Sequence, residues 1–412
     1  MKFARCVVKS VAICFFVLFV TVFSSVIYIE YTVSDDFVVN SGDELRLDYL
    51  IPIRASYCSD TNESVNYSPV AGESFKMDIK VLGIIPAKKI NVRVIDKTYV
   101  AVMGTPFGIK LYTDGVLVSG FSEVKTDAGT ENPAKDAGLK IGDFIVSLNE
   151  IKVYSNEEVS DIIKNSEGGL ITAKIKQNGK YKIISFYPVK SKTDGIYRAG
   201  IWVKDSSAGI GTMTFYSPSS NVVAGLGHGI CDSDSGALMS LSSGEFVTAD
   251  INSFKKGYKG KTGELNGTFS GKKIADFQLN RNNGVYGNVT CDINVESLTR
   301  VALKQEVRNG AAYILTTIDG NTPDYYSCNI KIRNMDDTQS LLVEVTDERL
   351  LSTTGGIVQG MSGSPILQNG KLVGAVTHVL VDDPTKGYGI FAENMLETAQ
   401  SVSENNKLKD AS

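Results

Sequence analysis

The 412-residue sequence predicts a mainly β protein with some α-helix, preceded by an N-terminal membrane anchor. Residues Val11 to Ile29 form an uncharged apolar run, later segments alternate apolar and polar residues, and glycine and asparagine recur between those segments. A chain of this length exceeds the usual single domain. We therefore expect an anchor followed by two or three domains rich in short strands.

The amino terminus has the charge pattern of a membrane-targeting segment. Lys2, Arg5 and Lys9 stand before or at the start of the apolar run, whose length lies between that of a secretory signal and that of a spanning helix. The positive-inside rule places these basic residues in the cytoplasm and exports the remainder. A weak candidate site for signal-peptide cleavage follows Ser24 or Ser25, but there is no Ala-x-Ala site. We predict an uncleaved or slowly cleaved anchor over residues 1–30.

Charge and cysteine usage exclude several classes of protein. The net charge is −4 and no basic cluster occurs, so we expect no nucleic-acid partner. The six cysteines are too scattered to indicate a disulfide framework, and a chain of this size does not need disulfide cross-links for stability. Cys231 is close to His228, but no second cysteine or histidine supplies ligand spacing. We expect no metal and no cofactor. The cysteines are Cys6, Cys14, Cys58, Cys231, Cys291 and Cys328.

A serine between glycines is the strongest chemical signal. Ser362 stands in Gly360-Met361-Ser362-Gly363-Ser364-Pro365, where glycines permit unusual backbone angles and the close approach of a substrate carbonyl. Such a turn can present a nucleophilic hydroxyl while the backbone N–H groups of Gly360 and Ser362 form an oxyanion hole. Asn369-Gly370, which follows this turn in the sequence, predicts a hairpin that would form the floor of a substrate pocket. The alternative is a glycine-rich β turn without chemistry.

The chain contains two histidines, so a serine nucleophile has two possible general bases. His228 lies in Gly-Leu-Gly-His-Gly, where the neighbouring glycines leave the imidazole open to approach, and we predict that it is the base. His378 lies in an apolar alternation, where a structural strand histidine is the expected role.

A triad also needs a carboxylate that orients the imidazole. Asp232, Asp234, Asp250 and Asp347 all qualify by position, and Asp347 ends an alternating stretch shortly before the serine turn. Spacing alone does not choose among them, because the orienting acid is a neighbour in space and need not be one in sequence.

Between the anchor and these motifs we expect a tether and then strands over residues 31–101. Ser56 to Ser74 is rich in Ser, Asn, Asp and Glu, which is typical of a flexible tether, and Lys76 to Met103 alternates apolar and polar residues.

The next region, residues 102–190, has the pattern of a small α/β module. Val116 to Gly120 and Asn132 to Asn149 carry it, and a capping box at Ser155 opens a helix. This pattern resembles PDZ domains of the bacterial protease type, which bind an extended peptide along a sheet edge and its carboxylate in a glycine loop. Phe107, Gly108 and Ile109 loosely match that loop, so the resemblance implies peptide binding there. The alternative is a PDZ fold that serves only as a spacer.

The region 191–412 completes a family resemblance. Gly209 to Pro218, the box at His228 and Gly355 to Gly374 resemble the SpoIVB (stage IV sporulation protein B) peptidase family of endospore-forming bacteria. The resemblance implies a β-rich, trypsin-like serine peptidase domain with Ser362, His228 and Asp347 as its catalytic residues. Cys231 departs from the small polar residue expected after the histidine.

The resemblance also implies a setting and partners. Members of the family are exported from the forespore into the space between forespore and mother-cell membranes, where they process themselves. They cleave a membrane-bound regulator that restrains an intramembrane protease, which activates the late mother-cell sigma factor. The PDZ domain would engage the protein's own N-terminal segment and the regulator complex.

Two other functions stay open at this point. One is a membrane-tethered PDZ scaffold with an inactive peptidase-like domain. The other is an HtrA-like quality-control protease. The domain order argues against this alternative, because the PDZ domain here precedes the catalytic region.

Overall fold

A computed structural model describes residues 2–43, 53–57, 70–177, 179–232, 236, 238–239, 241–333 and 339–410. The chain divides into two compact units, Met1–Thr98 and Tyr99–Ser412. Most described residues are in strands or the turns between them, so the predicted mainly β class is confirmed. Most of the predicted tether lies outside the described residues, and its ends fall in strands.

The first unit joins a long apolar helix to a small sheet. Helix α1 contains Val11–Thr32, a segment that is long and apolar enough to cross a membrane. Its end packs through Ile29 on the sheet, whose strand order is β1-β4-β3-β2. The predicted alternation holds, with Val92 buried and Arg93 exposed. The elements are α1 (Lys2–Thr32), β1 (Asp36–Asn40), β2 (Ile53–Tyr57), β3 (Ser74–Val81) and β4 (Ile85–Ile95).

The second unit begins with strands that lead into the PDZ core. Val116, Leu148 and Ile171 are fully buried there, and the predicted capping box is present, since the Ser155 side chain accepts a hydrogen bond from Glu158 N. The elements up to this core's last strand pair are β5 (Tyr99–Val102), β6 (Pro106–Phe121), β7 (Val124–Thr126), β8 (Gly129–Glu131), α2 (Pro133–Asp136), β9 (Phe144–Leu148), β10 (Ile151–Lys152), α3 (Asn156–Asn165), β11 (Ile171–Gln177), β12 (Lys180–Phe186), β13 (Val189–Lys190) and β14 (Tyr197–Arg198).

Two long antiparallel strands join the PDZ core to the peptidase core. Strand β6 buries Val118 in the PDZ core and Ile109 in the peptidase core, and β15 (Ile201–Ser217) runs beside it along its whole length. The cores therefore divide along these two strands, and the boundaries predicted at residues 102 and 190 do not follow that division.

The first peptidase barrel is closed by the same two strands. The order β6-β17-β18-β19-β16-β15 returns to β6 through the β15–β6 pairing. Phe107, Phe246 and Phe277 fill its interior. The further elements of this region are β16 (Val222–Gly225), β17 (Ser243–Lys255), β18 (Glu264–Arg281), β19 (Gly284–Val289), β20 (Thr299–Arg300) and a 3-10 turn at Lys304–Glu306.

The second barrel follows in the sequence and is closed in the order β21-β22-β23-β26-β25-β24. The predicted hairpin joins β24 to β25, and Asn369 (φ 51°) and Gly370 (φ 73°) have the backbone angles of a primed turn. The elements are β21 (Gly310–Thr316), β22 (Asp324–Ile332), β23 (Leu341–Val345), α4 (Glu348–Thr353), β24 (Pro365–Gln368), β25 (Lys371–Val379), β26 (Lys386–Phe391) and α5 (Ala392–Asp410).

Candidate active site

The turn that carries Ser362 lies between α4 and β24 and packs against strand β15 of the first barrel. Gly360 and Gly363 have φ of 99° and 95°, which favour glycine. A Cβ on Gly363 would lie 1.9 Å from Thr212 O. The glycines of the motif therefore allow the turn to touch the other barrel.

Strand β15 holds three carbonyl groups of this turn. Thr212 donates from N to Ser362 O (2.9 Å) and from Oγ1 to Gly360 O (2.8 Å), and Thr214 donates from Oγ1 to Gly363 O (2.7 Å). Among the described residues, the N–H groups of Gly360 and Ser362 donate to no acceptor, so both are available to a substrate oxyanion. Sequence reasoning missed the two threonines, because their alternation in Gly-Thr-Met-Thr places both on one face of a strand but does not show which turn that face meets.

His228 reaches the same region from the end of β16. Leu226 and Gly227 both have positive φ (64° and 68°), and this turn points the chain towards the second barrel. His228 Nδ1 lies 2.8 Å from Gly229 O. With the proton on Nδ1, the ring donates to that carbonyl and leaves Nε2 as an acceptor, which is the tautomer a general base requires.

The surroundings of His228 keep it neutral. Burial first, and the neighbouring His378 second, lower its pKa to about 4, although the contact with Gly229 O acts in the opposite direction. Its ring centroid is 4.5 Å from that of His378, with a tilt of 32° between the planes. His378, which the sequence suggested was structural, thus belongs to the site, and partial burial lowers its pKa as well.

Ser362, His228 and His378 line one cavity of about 430 Å³, to which both barrels contribute residues. The structure thereby brings the predicted nucleophile and base together. The Ser362 hydroxyl donates to Thr377 O at 2.6 Å, and no hydrogen bond joins Ser362 to His228 in the described part of the chain. The hydroxyl must therefore leave Thr377 before it can pass its proton to His228.

Asp347 is not brought to this cavity. It caps α4, and its carboxylate accepts hydrogen bonds from Arg349 and from Ser327 N. Burial alone would raise the pKa of Asp347, but these hydrogen bonds together hold it below its usual range. Its role in the catalytic triad stays a prediction.

The other carboxylates considered from the sequence also have different neighbours. Asp232 is buried with Lys204 Nζ at 3.5 Å, and Asp250 accepts a hydrogen bond from Asn321. Asp234 lies outside the described residues. The described lining of the cavity contains no Asp or Glu.

Cys231 has the properties of a neutral thiol. Partial burial raises its pKa, which disfavours the reactive thiolate. In the ranges that the structure covers, no group of three or more His, Cys, Asp or Glu side chains is placed to hold a metal ion.

The predicted peptide-binding residues require a correction. Phe107, Gly108 and Ile109 lie inside β6, which is paired with β17 on one edge and with β15 on the other. Phe107 and Ile109 are buried in the first barrel. Because a peptide can add only to an unpaired edge, these three residues cannot form the PDZ peptide site.

A better groove lies between helix α3 and the first part of β15. In the described chain, Ile201 to Val203 pair with β6 on one edge and with no strand on the other. A cavity of about 740 Å³ separates this edge from α3, with Val159 and Ile163 on the helix side. Gly200 (φ 77°) shapes the loop before the edge, since a Cβ there would lie 2.6 Å from Ser122 O. Sequence reasoning missed this groove, although Arg-Ala-Gly-Ile at residues 198–201 places a glycine directly before the strand that forms its edge.

The fold and site define a two-barrel serine peptidase with a PDZ domain, and comparisons with known proteins agree. Residues 195–396 match the model of the SpoIVB peptidase S55 family, and residues 126–177 match that of the PDZ domain. The chain is a SpoIVB-type, PDZ-containing serine peptidase.

Two individual relatives are more distant. A putative zinc metalloprotease of Clostridium acetobutylicum is 28% identical over 126 residues, which cover 31% of this chain and 34% of that protein. The chain thus spans about a third of that relative's length. The crystal structure of the PDZ domain of an SdrC-like protein from Listeria monocytogenes is 26% identical, covers 22% of this chain and 87% of its own, and has a TM-score of 0.18.

Proposed function

We propose that this chain is a sporulation signalling endopeptidase that processes itself and cleaves a membrane-bound regulator. That cleavage would release an intramembrane protease to activate the late mother-cell sigma factor. The observation that carries the peptidase part is the shared cavity, which both Ser362 and His228 line, beside two backbone N–H groups that donate to no described acceptor. The resemblance to the SpoIVB peptidase family supports the signalling part.

The proposed chemistry is acyl transfer. Ser362 Oγ leaves Thr377 O and attacks a peptide carbonyl, while Nε2 of His228 takes the hydroxyl proton. The N–H groups of Gly360 and Ser362 bind the oxyanion. His228 then gives the proton to the leaving amine, and a water molecule hydrolyses the acyl-enzyme with His228 again as base.

Gly229 O takes one task that a triad carboxylate usually performs. By accepting from His228 Nδ1, this carbonyl fixes the tautomer and the orientation of the ring. Asp347 would have to give up its bonds with Arg349 to do the same, because those bonds occupy its carboxylate.

The PDZ groove supplies a place for partner segments. An extended peptide can add to the open edge of Ile201–Val203 opposite α3. We assign to it the protein's own N-terminal segment and the regulator complex as ligands.

Helix α1 would anchor the enzyme with its amino terminus in the cytoplasm and the remainder in the space between the two membranes. Its apolar stretch supports the anchor, and the basic residues before it support the orientation.

Mass spectrometry of the full-length protein in detergent tests the proposal. Wild type should accumulate shortened N-terminal forms, and Ser362→Ala should remain intact because it lacks the nucleophile. Ser242→Ala is the matched control, since Ser242 is exposed and lies outside the cavity lining. Normal processing of Ser362→Ala, or intact wild type, would contradict the proposed activity.

A further inference from the structure

The cavity beside Ser362 has a lining without formal charge. Its titratable members, among the described residues, are His228 and His378, which stand at the catalytic end. The remaining wall is mostly aliphatic. That wall contains Ile109, Ile210, Leu226, Ile230, Val358, Val379 and Val381.

The position of this wall indicates which substrate residue it meets. Val358 lies just before the segment whose N–H groups, at Gly360 and Ser362, are available to the scissile carbonyl. Val379 and Val381 follow Thr377, the residue that holds the Ser362 hydroxyl. A residue whose carbonyl is bound by those N–H groups would therefore direct its own side chain into this aliphatic wall.

We infer that the peptidase cleaves after an apolar residue, so that a Leu-, Ile-, Val-, Met- or Phe-sized side chain occupies the cavity on the amino side of the scissile bond. This inference rests on the proposed function. The cavity volume of about 430 Å³ lies within the usual range for sites that bind small apolar groups.

The energetics favour this class strongly. Burial of a leucine-sized side chain in this cavity is favourable, whereas burial of a charged side chain would cost its hydration. Together these two effects give an expected preference of about a hundredfold for leucine over lysine. Neither a basic nor an acidic side chain would find a charged partner, because the described lining contains no Asp, Glu, Lys or Arg.

The test uses a proteome-derived peptide library whose amines are blocked by dimethylation, which keeps lysine side chains charged. The library is digested by the full-length protein in detergent, and new amino termini are identified by mass spectrometry. Ser362→Ala supplies the background. Cleavages that depend on Ser362 and follow mainly apolar residues support the inference. Cleavages that depend on Ser362 but follow charged residues would overturn it and leave the peptidase assignment intact. Absence of any Ser362-dependent cleavage would overturn the proposed function itself.

A charge placed on the wall gives a second, directional test. Val381 is 54% exposed, so Val381→Asp should fold and should raise cleavage after lysine relative to leucine by about fivefold, as expected for an exposed ion pair. Val70→Asp is the matched control, because Val70 is 58% exposed and does not line the cavity. An unchanged ratio in Val381→Asp, or an equal change in Val70→Asp, would contradict the placement of the substrate side chain.

Discussion

At the residue scale, the two imidazoles set the pH at which the site can work. His228, the proposed base, can accept a proton only when it is neutral, and its lowered pKa of about 4 keeps it neutral at physiological pH. Part of that lowering comes from His378, whose ring lies 4.5 Å away. His378 therefore influences the base without contacting the nucleophile by any described hydrogen bond.

We predict that His378→Asn moves the acid limb of the pH profile of kcat/KM to higher pH. In wild type, activity should fall as the pH falls through about 4, where His228 becomes protonated. Without the second imidazole, His228 should take up its proton at higher pH, towards the ordinary value for histidine. An unchanged acid limb in the variant would show that His378 has no effect on the base.

For Asp347→Asn, we predict loss of stability without a shift of that acid limb. Asparagine can still cap α4, but the ion pair with Arg349 is lost, which should cost about 1 kcal/mol at neutral pH. Because the folded-state pKa of Asp347 is lowered, its contribution is present above the unfolded pKa and disappears as the pH falls through the folded one. Urea unfolding at pH 7 and at pH 2 to 3 measures this difference. A large loss of turnover in fully folded protein would instead restore Asp347 to the triad.

The sequence was sufficient to predict the turns at Ser362 and His228, because the signals around these residues are local. The glycines beside each residue are needed for the turns, and the structure confirms both turns. A few neighbouring residues are enough to predict them. His378 and Thr212 could not be found in this way, since each acts on a partner more than a hundred residues away in sequence. No periodicity reports which distant turn a strand residue will face.

At the scale of elements, strand β15 serves two sites. Its first residues, Ile201 to Val203, form one edge of the PDZ groove, and Gly209 and Ile210 line the cavity beside Ser362. Thr212 and Thr214 then hold the turn of the nucleophile. The same strand thus borders the PDZ groove and positions the turn that carries Ser362.

We predict that Thr212→Val lowers kcat by about tenfold, because the turn of Gly360 and Ser362 loses the hydroxyl bond that fixes it. The free energy of unfolding should fall by about 1 kcal/mol. Thr290→Val is the control, since Thr290 Oγ1 also donates to a backbone carbonyl, that of Ile274, outside the cavity lining. Equal loss of turnover in both variants would show that the effect is one of general stability.

Strand β6 shows the limit of prediction for elements. The PDZ resemblance implied a carboxylate-binding loop at Phe107, Gly108 and Ile109, but these residues lie inside β6, with strands on both edges. Alternation reports which residues face a core but not which core, and β6 contributes to two of them. A strand shared by two modules has no boundary in its composition, which is why the predicted domain limit fell within the peptidase sheet.

At the scale of the whole molecule, sharing of β6 and β15 couples the PDZ core to the first barrel. We predict that residues 99–412 unfold in one cooperative transition, followed by circular dichroism and by tryptophan fluorescence of Trp202. A fragment of residues 102–190 keeps β9 but lacks β15 and β17, which also pair with β6, and it should show no such transition. Two separate transitions in the long form, or a stable fold in the fragment, would contradict this coupling.

The central claim, that Ser362 is an activated nucleophile, is tested most directly by covalent labelling. The full-length protein is treated with a fluorophosphonate at neutral pH, and the modified residue is mapped by mass spectrometry. We predict one adduct, on Ser362, which is absent from His228→Ala because that variant lacks the base. No adduct on Ser362, or an equal adduct in His228→Ala, would contradict the account.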